Sequence, residues 1–207
     1  MYPKITNYIK EAEKGFEAIP EERKLTLAKI SKYIAGRIKA NQKVELIYIC
    51  THNSRRSHFG QIWAKTAASY YGFEDVTTYS GGTEATSFNP NAITAVLSAG
   101  FKIEKDNSSV NPMYTVHFQE TGDTILCFSK KYNDAANPQN GFCAIMTCTE
   151  ADGACPFVLG TVERVSTPYD DPKAFDNTHE QDAKYSERCL QIATETLYAF
   201  SLVKNLI

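Results

Sequence analysis

The segment Val44 to Ile49, VELIYI, is the strongest constraint on what this chain folds into. Glu45 is its only polar residue, so a strand built from it has no face to give to water. A strand apolar on both faces belongs inside a parallel sheet with helices on either side. The surrounding patterns supply those helices. Leu27, Ile30, Ile34 and Ile38 recur at helical spacing before it, and Phe59, Ile62, Trp63, Thr66 and Tyr70 mark one face from Ser57 to Tyr71 after it. Pro20 with Glu21 and Glu22 is a helix start. Asn89-Pro90 is a cap followed by Pro at the first helical position. Ala92, Ile93, Val96 and Leu97 are the expected apolar face of that helix, and Gly100 its end.

Thr124 to Phe128 and Phe142 to Thr147 read as two more short buried strands. Tyr132 to Gly141 reads as a loop, Thr161 to Thr178 as polar and irregular, and Asp182 to Val203 as a closing helix with Leu190, Ala193, Leu197 and Phe200 on one face. Strands separated by helices predict an α/β fold: a three-layer sandwich with a central parallel sheet of about four strands flanked by helices. The first forty or so residues read as helix. The expected organisation is an N-terminal helical extension over 1–42 and an α/β domain over 43–207. In such sheets the site lies beyond the carboxyl ends of the strands.

Composition bounds the function. The chain has 207 residues, 43% of them hydrophobic, enough to bury a sizeable core. Its net charge is -2, which favours neither nucleic acid nor an anionic membrane as a partner. No apolar run reaches the length of a membrane span. The opening residues lack the apolar stretch of a signal peptide, so a cytoplasmic location is expected. Thiols are kept reduced there, and the six cysteines are expected to be catalytic, redox-active or buried rather than structural disulfides.

The segment IYICTHNSRRSHFGQIW carries the chemistry. Cys50 ends the strand, Arg56 and Ser57 follow a short loop, and a helix begins. A strand–loop–helix turn of this kind can aim backbone N–H groups at a tetrahedral oxyanion, with the helix N-terminus adding positive partial charge. The same field favours a thiolate at Cys50, making it a nucleophile. Arg56 can present a planar fork to two anion oxygens. Ser57 can hydrogen-bond the thiolate and stabilise it as a leaving group. A buried strand-end cysteine beside two surface arginines is the bland alternative.

Two further segments complete the chemistry. TPYDDPKAFDN offers Asp170 and Asp171 as proton donors to a leaving group, with an ordinary acidic turn as the alternative. AIMTCTEADGACPF places Cys148 after a buried strand and Cys155 beyond a small polar loop, where one thiol could attack an adduct and a second resolve the disulfide. Two ordinary cysteines flanking a loop would look the same. Zinc is disfavoured by the spacing. Cys127, Cys143 and Cys189 sit in apolar patterns and are expected in the core. His52 lies inside the loop, as substrate contact or spacer, and His58 falls in the first helical turn. His117 and His179 have no constellation, and Trp63 is expected in the core.

CTHNSRRS resembles the phosphate-binding loop of the low-molecular-weight protein tyrosine phosphatase superfamily, which includes the thioredoxin-coupled arsenate reductases. SGGTEATSFNPNAITAVLSAGFKI is similar to the segment these proteins carry after the first helix, and the resemblance runs from about Val44 to the C-terminus. It implies an oxyanion loop of Thr51, His52, Asn53, Ser54, Arg55 and Arg56 around Cys50, with Asn53 ordering the loop. It implies Asp171, directly before Pro172, as the general acid. TCTEADGACP is similar to the reductases' redox segment, which implies a relay from Cys50 to Cys148 to Cys155 and on to a thioredoxin-like reductant. Departures are His52 for the usual Gly, Arg55 for the reductases' second Cys, where added charge near the mouth is expected, and Gln61 where potassium-binding reductases place Glu. No metal or cofactor is expected.

The expected function is arsenate reduction, as in arsenic resistance. The alternative is a phosphatase acting on phosphotyrosine or small aryl phosphates through a phosphocysteine. Lys173, Ala174 and Phe175 stand where such enzymes often place two tyrosines. A non-catalytic oxyanion-binding or redox-sensing module is a third reading.

Overall fold

A computed structural model describes residues 1–106, 110–154 and 157–207. Cys155, the expected last thiol of the relay, lies outside the described residues. Strand β1 (Val44–Cys50) is buried along nearly its whole length, as its apolar run requires. It pairs in parallel with β2 (Val76–Gly82) on one side and with β6 (Phe142–Met146) on the other, and β6 pairs in parallel with β7 (Thr161–Ser166). The order β2-β1-β6-β7 is the predicted central parallel sheet of four strands.

The two faces are covered unequally. On one face the buried side chains of α1 (Pro3–Lys14), α2 (Glu21–Lys39), α3 (Arg56–Tyr71), α4 (Pro90–Ala99) and α6 (Gln181–Val203) merge with Val44, Leu46 and Tyr48 into one large core. On the other face Ile47, Ile49, Ala144 and Met146 pack with Cys148, Val158 and Ala151, the last from the short α5 (Thr149–Ala154). Ile5, Ile9 and Ala12 of α1 and Leu27, Ile30 and Ile34 of α2 belong to the large core. Tyr8 stacks on Trp63, with ring centroids 5.0 Å apart, so Trp63 is a core residue tied to the N-terminal helices.

Several expectations need correction. Thr124 to Phe128 is not a member of the parallel sheet. Thr124–Cys127 is β5, the edge of a separate antiparallel sheet with β3 (Lys102–Lys105) and β4 (Tyr114–His117), and its side chains alternate between exposed and buried. The stretch read as irregular from Thr161 opens with β7, an edge strand, which needs only one buried face. The segment TEADGA is helical rather than a loop. On α4 the buried residues are Ala92, Ala95, Val96 and Ala99, while Leu97 is exposed. The caps are as read: Asn89 Oδ1 accepts from the amides of Asn91 and Ala92, and Gly100 takes a left-handed φ of 112°. No helix among the described residues is long and apolar enough to cross a membrane.

Candidate active site

Cys50 is the last residue of β1, and residues 51–55 turn the chain into α3, whose first residue is Arg56. The loop's carbonyls are engaged on its outer side. Cys50 O accepts from Thr83 N at 3.1 Å, Thr51 O from Glu84 N at 2.8 Å, and Ser54 O from Asn89 N at 3.0 Å. His52 O accepts from the hydroxyls of Thr86 and Ser129, each at 3.1 Å. In a trans peptide the next residue's N–H points opposite the carbonyl. The amides of Thr51, His52, Asn53 and Arg55 therefore face the concave side, where an oxyanion would sit beside the N-terminus of α3. Residues 83–89, part of the segment singled out in sequence, are the brace that turns these carbonyls outward.

Asn53 adopts a left-handed φ of 45°, which Asn tolerates better than other side chains because its amide finds local partners. Its Nδ2 donates to Ser57 Oγ at 2.9 Å and its Oδ1 accepts from Lys130 N at 2.8 Å. Ser57 Oγ in turn lies 3.1 Å from Cys50 Sγ. Ser54 Oγ donates to Ser87 O at 2.8 Å.

Arg56 is almost fully buried. Its Nη1 donates to Tyr169 O at 2.7 Å and its Nη2 to Asp171 Oδ2 at 2.8 Å. Its Nε is buried without a hydrogen-bond partner. A buried guanidinium N–H is costly to leave unmet, so an anion in the loop is the natural acceptor. Asp171 also accepts from Lys173 N at 3.0 Å, capping the short helical turn Pro172–Phe175. Asp170 is 97% exposed and lies 3.5 Å from Arg188. Of the two acids, Asp171 is the one at the loop.

Arg55 sets its charge beside the acid, with its Nε 3.9 Å from Asp171 Oδ1. It is buried, its Nε donates to Tyr185 OH at 2.8 Å, and its Nη2 lies 3.5 Å from Asp176 Oδ2. The aromatic hydroxyl of α6 and the carboxylate together draw it away from solvent. His52 is half-exposed and lies 3.7 Å from Glu84. His58 is not a surface residue. It stacks on Phe88 at 4.1 Å between centroids and is fully buried, which with the nearby Lys130 charge pushes its pKa down to about 3.

Cys148 is buried directly after β6, its Sγ 3.4 Å from Thr51 Oγ1 in the anion loop and 3.4 Å from the amide of Ala151. Burial raises its thiol pKa. Thr51, Ala151 and the Arg56 charge oppose that shift, and the Cys50 charge reinforces it. Cys127, Cys143 and Cys189 are core thiols as expected. Burial pushes Cys127 up to about 12 and Cys189 to about 11, and raises Cys143 as well.

Gln61 Nε2 donates to the carbonyls of Thr78 at 3.3 Å and Leu126 at 3.0 Å. The neutral Gln61 turns an N–H donor, not a carboxylate, toward these carbonyls, so these residues do not fit a cation. No group of three or more His, Cys, Asp or Glu among the described residues is arranged to hold a metal ion.

No family model matches the chain. Among curated proteins, it is 30% identical over 141 residues to an arsenate reductase of Halalkalibacterium halodurans, an alignment covering 68% of this chain and 82% of that one. It is 26% identical over 159 residues to an arsenate reductase of Bacillus licheniformis, covering 77% of this chain and 96% of that one. Among solved structures, it resembles a low-molecular-weight phosphotyrosine phosphatase of Vibrio cholerae at a TM-score of 0.51 and 12% identity, covering 78% of this chain and 95% of that one. The fold of this phosphatase, an enzyme, is the fold of the chain. By sequence, the chain belongs to the arsenate reductase family.

Proposed function

We propose that the chain reduces arsenate to arsenite through a relay of Cys50, Cys148 and Cys155, with a thioredoxin-like dithiol as reductant. The observation that carries this reading is Cys148 Sγ against the Thr51 hydroxyl: a second thiol borders the anion loop. A hydrolase that releases phosphate to water needs no such thiol.

In the proposed reaction the loop amides and Arg56 Nε hold arsenate, and the Cys50 thiolate attacks arsenic. The arsenic–oxygen bond breaks as a proton from Asp171 lets the oxygen leave as water. For that transfer the Arg56–Asp171 ion pair must open, freeing the carboxyl to take up and pass a proton. Cys148 then attacks the sulfur of Cys50. The sulfur–arsenic bond pair passes to arsenic, arsenite departs, and Cys50 and Cys148 are joined in a disulfide. Cys155 attacks Cys148 and releases Cys50. Two electrons from the dithiol reductant then cleave the Cys148–Cys155 disulfide.

Steady-state turnover of arsenate with thioredoxin, set beside hydrolysis of p-nitrophenyl phosphate, tests the reading. Arsenate turnover that requires thioredoxin is expected, and Cys50→Ser should abolish it while phosphate still binds. Phosphate ester hydrolysis without any arsenate turnover would replace this reading with the phosphatase one. Substantial activity in Cys50→Ser would remove every enzymatic reading.

A further inference from the structure

We infer that Arg23, on α2, is a positioning residue that holds the loop carrying the acid Asp171; the inference rests on the catalytic reading above. Arg23 reaches out of α2 to three groups at once. Its Nε donates to Glu195 Oε2 at 2.7 Å, its Nη2 donates to Pro168 O at 3.2 Å, and its guanidinium carbon lies 4.8 Å from the centre of the Tyr169 ring. Glu195, on α6, is almost fully buried. Its Oε2 also accepts from Tyr169 OH at 2.8 Å, and its Oε1 accepts from Gln191 Nε2 at 3.3 Å.

The consequence lies one peptide further along. Tyr169 O is the acceptor of Arg56 Nη1 at 2.7 Å, and Asp171, two residues on, pairs with Arg56 Nη2. Arg23 and Glu195 grip the backbone and ring of Pro168 and Tyr169, and the same two residues set where the arginine fork and the acid meet. The far end of the segment is held separately, where Asp176 accepts from Tyr185 OH at 2.7 Å and faces Arg55. Segment 168–176 is thus fixed at both ends, and one of its fixings comes from α2. The fixing is directional, because a planar guanidinium fork donates to a carboxylate and a carbonyl through separate N–H groups while lying over a ring, which an ammonium cannot reproduce. Removing the fork leaves Glu195 buried with only neutral partners, a strong incentive for Tyr169 to move.

The test uses the full chain with Arg23→Met, which keeps the stem, and Arg23→Lys, which keeps the charge. Arg23→Met should lower kcat for aryl phosphates and arsenate about tenfold with KM nearly unchanged, since the bound anion stays while the acid is misplaced. The loss should grow as the aryl leaving group becomes poorer, and Arg23→Lys should restore part of it. In an Asp171→Asn background Arg23→Met should cost nothing further, because its effect passes through that acid. Full additivity of the two substitutions, or a loss independent of the leaving group, would overturn the inference while leaving the enzyme's activity established. If the wild type turns over neither substrate, the catalytic reading fails and hydrogen exchange decides the rest. Faster exchange across 167–176 in Arg23→Met would uphold the grip on the segment, and unchanged exchange would end it.

Discussion

Substituting Gly82 with alanine should displace the anion loop, and the displacement can be read from the contacts. Gly82 ends β2 opposite Cys50 in the sheet register. A Cβ added there would meet Thr51 O and Asn53 N, each at 2.7 Å, and would press still harder on the Glu84 carbonyl. Ordinary contact begins at 3.4 Å, so the loop backbone must retreat by about 0.7 Å, and none of the three obstacles is a side chain that can swing aside. Overpacking of this kind costs about 1–3 kcal/mol. For a chain of this size that lowers Tm by about 2–12 °C. The catalytic loss should be larger in proportion, about 10- to 100-fold in kcat/KM, because Asn53 N, one of the atoms that move, belongs to the proposed oxyanion loop. Phosphate affinity by competitive inhibition, kcat/KM and thermal melting measure the three effects. Gly36→Ala is the control: it lies inside α2 with nothing within 4 Å of its added Cβ, and it should stabilise the protein by about 0.5–1 kcal/mol. A Gly82→Ala protein that binds phosphate as tightly as wild type would refute the argument that β2 abuts the loop too closely for any side chain.

Other perturbations have separate readouts. Asp171→Asn should slow aryl phosphate hydrolysis by about 10²- to 10⁴-fold, and Asp170→Asn should be nearly silent, since only Asp171 reaches Arg56; steady-state rates distinguish them. Cys148→Ser should release no arsenite through a disulfide, whereas Cys155→Ser should complete one turnover and stall as a Cys50–Cys148 disulfide, seen by non-reducing mass mapping. His58 titrates near pH 3 when folded against 6.5 ordinarily, so the folded state binds fewer protons between those values. Its share of stability is present above about pH 6.5 and is lost as pH falls toward 3. His58→Gln should flatten that part of a urea-unfolding series between pH 7 and 4, and an unchanged slope would count against it.

The parts of the fold that were legible in sequence are those specified locally. VELIYI can be satisfied only by burial on both faces, and Asn89, Pro90 and Gly100 carry the chemistry of a helix's two ends. Local pattern fails where packing decides. Leu97 has the period of a core residue, but α4 lies against its neighbours through Ala92, Ala95 and Ala99, small side chains that allow close approach and leave the leucine outside. TVERVS buries only Val165 fully, and TEADGA only Ala151, too little apolar signal to mark a strand or a helix. The site divides in the same way. Cys50, Asn53, Arg56 and Ser57 follow one another in the chain, and their arrangement is the geometry of a single turn. Arg23, Glu195, Tyr169 and Tyr185 converge on that turn from distant elements, and nothing in their own neighbourhoods announces it.

The burial of Cys127, Cys143 and Cys189 also bears on how a disulfide relay can run in a chain with six thiols. Exchange proceeds through thiolates, so each bystander thiol is a potential short circuit. Raising Cys127 from 9 to about 12 thins its thiolate population roughly a thousandfold, and the other two are quenched in the same direction. For the proposed relay the hydrophobic core would act as insulation around the conducting path, keeping oxidising equivalents out of pairings that would trap the fold. That makes the path countable, because a thiol-alkylating reagent applied to the folded protein should mark at most three cysteines, and all six once the insulation is melted away.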